Sequence, residues 1–145
     1  GTGVAHSEYN HSAQDKVHFL QIWIVPDRSG HPPRYQQKLF DTASKRGRLA
    51  LVLSPEGDEG SLQIRQDARV YAGLFDGDES ATLDLPAGRH AYVHVARGSI
   101  ELNGVRYDQG DGLRLRDPGA LHFGGGRQAE VLVFDLRPHE LPVMP

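Results

Sequence analysis

Apolar residues fall in short runs, some alternating with polar ones and some nearly continuous, and clusters of turn-forming residues break the runs at close intervals. VHFLQIWIVP (17–26) is rich in β-branched and aromatic residues and ends at a proline, which predicts a strand. Its alternate positions are Val17, Phe19, Gln21, Trp23 and Val25 on one side and His18, Leu20, Ile22 and Ile24 on the other. Both sides are mostly apolar, as expected of a strand covered on both faces, and Trp23 is expected to be buried packing. PDRSGHPPRY (26–35) then concentrates Pro, Gly and Ser, the composition of a linker.

Further strands are predicted at RLALVLS (48–54), SLQIRQ (61–66), ARVYAGLF (68–75), ATLDLP (81–86), HAYVHVAR (90–97), SIELNGVRYD (99–108), DGLRLR (111–116) and AEVLVFDL (129–136). SPEGDEG, FDGDES and RDPGA supply turns between them, a rhythm that suits a sandwich, jelly roll or barrel. QQKLFDTASKRG (36–47) lacks a sustained 3.6-residue stripe and predicts at most one or two helical turns. In 90–97 the alternation puts Ala91, Val93 and Val95 on the core side and His90, Tyr92 and His94 on the other. Gly98 and Gly104 punctuate the exchange into the next strand, and NGV (103–105) predicts a tight hairpin.

Composition reinforces the all-β reading, because 17 Gly and 9 Pro in 145 residues favour many turns over long helices. The 16 basic and 19 acidic residues give a net charge of −3 without a cationic stripe, which argues against nucleic acid as a direct ligand. There is no cysteine, hence no disulfide framework or thiolate zinc site, and no apolar run reaches membrane-spanning length. A cytoplasmic address is the expectation. GTG (1–3) and GGG (124–126) neither follow a strand nor open a helix, so they are expected to be turns and not phosphate loops. His90-x-x-x-His94 lacks the glutamate of a helical metalloprotease pair, since Ala91 stands there.

The chemistry-bearing stretch is AHSEYN (5–10). On a strand, His6 and Glu8 project from one face and Ser7 and Tyr9 from the other, so an imidazole and a carboxylate can converge on one cation. Two histidines and a carboxylate with open positions characterise mononuclear non-haem iron. His-x-Glu alone also suits an exposed strand face with an incidental charge pair. His11 and His18 are expected at the surface, and Tyr9 and Asn10 as neighbours or packing residues of the site.

GTGVAHSEYN followed by VHFLQIWIVP, PPRYQQKLF, LVLSPEGDEGSLQIRQD and AEVLVFDL resembles the bacterial pirin family, the quercetin 2,3-dioxygenase-like bicupins, over nearly the whole chain. The resemblance implies cupin double-stranded β-helices, or jelly-roll barrels. The chain would then be a C-terminal portion: extra N-terminal strands left from a truncated first cupin (1–26), a linker (27–36), a C-terminal cupin (37–138) and a tail (139–145). It further implies one divalent metal, Fe(II), held in the parent by three histidines and a glutamate. The last histidine and the glutamate fall on His6 and Glu8, with Glu8 the candidate catalytic base. The fragment alone is expected to bind metal weakly and to be inactive.

QGDGLRLRDPGALH (109–122) resembles the second cupin motif, with His122 at its histidine, yet no His-x-His or glutamate lies near 83–91, and His122 is expected to cap or pack a turn. For the parent the resemblance implies cleavage of a flavonol-like substrate. The alternatives are an iron-dependent redox-sensing or protein-binding module acting through a protein partner, and a purely structural cupin. The cut strands are expected to be held by the second cupin or by another copy, giving a homo-oligomer through the N-terminal strands.

Overall fold

The computed structural model describes residues 3–138, so the expected tail at 139–145 lies outside the described residues. Eight strands form, β1 (Leu49–Ser54), β2 (Leu62–Gln63), β3 (Ala68–Phe75), β4 (Ala81–Asp84), β5 (His90–Leu102), β6 (Val105–Asp108), β7 (Gly112–Arg116) and β8 (Ala120–Leu136). The helical expectation reduces to one turn, α1 (Thr42–Lys45), capped by Asp41, whose carboxylate accepts from the Ser44 amide at 2.7 Å. That hydrogen bond holds the Asp41 carboxyl below its ordinary pKa.

The strands join one sheet in the order β2-β1-β3-β8-β5-β6, with β4 added to β8 and β7 to β5. All pairings are antiparallel except β1 with β2. Period-two alternation aims Ala91, Val93 and Val95 of β5 and Val131 and Val133 of β8 inward, where each is at most 2% exposed. Phe75 and Phe123 stack inside at 6.0 Å between centroids and 11° between planes. The hairpin at Asn103-Gly104 forms as expected, with φ of 50° and 79°.

Two strands are longer than the sequence suggests. β5 runs unbroken through Gly98, because register shifts against β8 between Val95 and Glu101 absorb the irregular backbone and keep the ladder. β8 begins at Ala120, so the GGG stretch expected to turn lies inside a strand. The physical reason is close approach: a Cβ on Gly126 would lie 2.6 Å from the Phe75 carbonyl oxygen.

The largest departure is N-terminal. No strand forms among the described residues before Leu49, so neither 17–26 nor the segment around His6 is a strand. Trp23, expected to be buried, is 88% exposed. Apolar sequence favours burial, but a ladder requires a neighbouring edge. Here residues 18–27 lie across the β5–β8 face with few polar ties: Arg97 Nε donates to His18 Nδ1 at 3.1 Å, Gln66 Nε2 to the Val25 carbonyl at 2.8 Å, and the Asp27 amide to the Arg65 carbonyl at 2.7 Å. The segment is therefore held by the C-terminal body, as expected, although not as strands.

Candidate functional site

His6 and Glu8 come together without the strand that was expected to align them. His6 Nε2 lies 3.8 Å from Glu8 Oε1, and the side chains are 58% and 63% exposed. An extended backbone suffices to put residues two apart on one side. The pair offers the nitrogen and oxygen donors that suit a divalent metal, but two donors do not make a site, and no cluster of three or more His, Cys, Asp or Glu side chains exists among the described residues. Tyr9 is 87% exposed, and Asn10 shapes the following turn: its Oδ1 accepts from the Ser12 amide at 3.1 Å and its Nδ2 donates to the Asp15 carbonyl at 2.7 Å. His11 and His18 are exposed.

The interior of the C-terminal body is filled with aliphatic and aromatic side chains. His122 sits on the outward face of β8, its Nδ1 3.0 Å from Thr82 Oγ1 on β4; it lies in a strand, and of the expectation that it caps or packs a turn the part that appears is main-chain, its amide donating to Asn103 Oδ1 of the hairpin at 2.8 Å. His90 and His94 point away from the core, as the alternation requires, and the His94 Nδ1–H donates to the Asp111 carbonyl at 3.1 Å.

Three features of this region escaped the sequence reading. The first is a cavity of about 430 Å³ between residues 20–25 and the outward side chains of β5 and β8, among them Tyr92, His94, Leu132 and Phe134. The second is an ion network in which Arg89 Nε binds Asp135 at 2.6 Å and its NH1 binds Asp67 at 2.8 Å. Burial disfavours the Arg89 charge, but the two carboxylates outweigh it and the guanidinium pKa is raised.

The third is the linker pair His31 and Asp27, 2.6 Å apart, with His31 only 9% exposed. Its i,i+4 spacing was visible in the sequence and could have suggested a pair. The hydrogen bond from His31 holds the Asp27 carboxyl below its ordinary value of 3.8. A depressed carboxyl stabilises the folded linker above the unfolded pKa and loses that contribution as pH falls through the folded one. Cleavage of the linker is therefore expected to accelerate, relative to an unstructured peptide of the same sequence, as the pH drops below 3.8, read with an acid-active protease such as pepsin there and with trypsin at Arg28 at neutral pH. The Asp27→Asn variant should cleave faster already at neutral pH and show no such acid step; equal rates in both proteins would remove the pin.

An antiparallel-rich sheet of this order, wrapped on an apolar core, defines a cupin. Residues 51–136 match the family described as the quercetinase C-terminal cupin domain, and the chain belongs to that family. It is 39% identical over 138 residues to quercetin 2,3-dioxygenase of Escherichia coli K12, covering 95% of this chain and 58% of that protein. The crystal structure of YhhW from Escherichia coli superposes with a TM-score of 0.74 at 35% identity, over 82% of this chain and 50% of that one. A second YhhW structure, of the bacterial pirin in complex with nickel(II), gives 0.73 at 36% identity, over 81% and 49% of the two chains. The chain thus spans 49–58% of the length of these relatives.

Proposed function

We propose that this chain is the C-terminal part of a pirin-type quercetin 2,3-dioxygenase. Residues 1–26 close a first cupin, 27–36 link, and 37–138 form a second cupin. The observation that carries the reading is the approach of His6 and Glu8 to 3.8 Å in the segment ahead of the family-matched region. A relative named quercetin 2,3-dioxygenase and a pirin crystallised with nickel(II) support it. In the longer protein His6 and Glu8 are two ligands of one divalent metal, Fe(II), the substrate is a flavonol, and the protein is cytoplasmic. The Glu8 carboxylate, 63% exposed here, accepts the proton of the flavonol hydroxyl.

The 145-residue chain is expected to consume no oxygen with quercetin and Fe(II) or Ni(II), because two donors hold a cation far more weakly than four. Fusing the N-terminal part of the Escherichia coli relative ahead of Gly1 should create oxygen uptake that Glu8→Gln and His6→Ala abolish. Turnover by the chain alone, or uptake indifferent to both substitutions, would overturn the proposal.

Exposed Phe19, Trp23 and Leu39 favour a second reading, a redox-sensing or protein-binding module. Its signature would be a fused protein that binds Fe(II) without oxygen uptake and holds a protein partner only in one redox state.

A further inference from the structure

We propose that the cavity between residues 20–25 and the β5–β8 face is a binding site for a small hydroxylated aromatic carboxylate, separate from the His6–Glu8 pair, neither of which lines it. Its volume of about 430 Å³ falls within the range of small-molecule pockets. Its walls are apolar and aromatic: Leu20 and Ile22 on one side and Tyr92, Leu132 and Phe134 on the other, with Trp23 at the rim. Tyr92 and Phe134 already pack at 5.8 Å with a 50° tilt, leaving a shape that a flat ring can extend.

Several polar groups of this lining are already committed. The Gln66 amide is spent on the Val25 carbonyl, and the Asp67 carboxylate on Arg89. The Arg137 side chain, by contrast, makes no hydrogen bond or ion pair among the described residues; its Nε is shut off from solvent, while its terminal nitrogens are neither enclosed nor paired. An unpaired guanidinium beside apolar walls selects a carboxylate. His94 supplies a second polar contact. Its Nδ1–H is committed to the Asp111 carbonyl, which leaves Nε2 for a ligand, and a phenolic hydroxyl is a matching hydrogen-bond partner. Donor cation, imidazole nitrogen and aromatic walls together specify a ring with a carboxylate and a hydroxyl.

Trp23 is the chain's single tryptophan, so its fluorescence reports on this site alone. Titration of the 145-residue chain with 4-hydroxybenzoate in EDTA should quench it saturably, and calorimetry should give the same affinity. Benzoate should bind severalfold more weakly, and 4-hydroxybenzyl alcohol, which lacks the carboxylate, about tenfold more weakly. Arg137→Gln should cost about tenfold for 4-hydroxybenzoate, whereas His94→Phe, which leaves no hydrogen-bonding atom there, should abolish the preference over benzoate. The ligand series needs no variant and so does not depend on either one folding. Absence of saturation up to about 10 mM, or equal affinity for the carboxylate and the alcohol, would overturn the proposal.

Discussion

Replacing Arg89 by methionine is expected to destabilise the chain by roughly 3–5 kcal/mol, measured by urea unfolding at neutral pH. The side chain of Asp135 is only 6% exposed, and Arg89 is the ion-pair partner it has among the described residues. Without it a carboxylate is left desolvated and unpaired, the costly half of a broken buried pair. Asp67, 59% exposed, returns to water at little cost. Arg89→Met with Asp135→Leu should recover most of the loss, since a buried ion pair and an apolar pair of similar volume are close in stability. A single variant as stable as wild type, or a double variant no better than the single, would show that the network does not anchor β5 to β8.

Gly98→Ala is the second large effect, a loss of at least about 3 kcal/mol. Gly98 has φ of +65°, and a Cβ there would stand 2.2 Å from the Arg127 carbonyl oxygen and 2.4 Å from that of Gln128. Both obstacles are backbone, so no rotamer relieves them. Gly104 supplies the control, with φ of +79° and nothing within 4 Å of its notional Cβ. Gly104→Ala should lose only the roughly 1–2 kcal/mol of a left-handed residue with a side chain. The difference between the two isolates the collision of β5 with β8 from the conformational term, and equal losses would show that the bulge relaxes.

The inward residues of β5 could be read from the sequence because Ala91, Val93 and Val95 alternate with polar positions, and one buried face is all that a period of two requires. The N-terminal half of β8 was hidden. Gly124, Gly125 and Gly126 announce either a turn or a tight approach, and only the position of Phe75 across the sheet decides between them. Residues 17–26 misled for a related reason: their composition reports apolar character, whereas strand identity depends on a neighbouring edge that composition does not contain. The His6–Glu8 proximity was legible because it needs only local extension. The 430 Å³ cavity was not, since its walls come from segments far apart in sequence.

β8 is the last strand among the described residues, yet it lies between β3 and β5 in the sheet. On the ribosome, therefore, both neighbours emerge long before the strand that joins them. Until it leaves the exit tunnel, β3 and β5 present open edges and an uncovered apolar face, so the core closes only once β8 has emerged. A premature stop within residues 129–136 consequently deprives two strands of a partner at once.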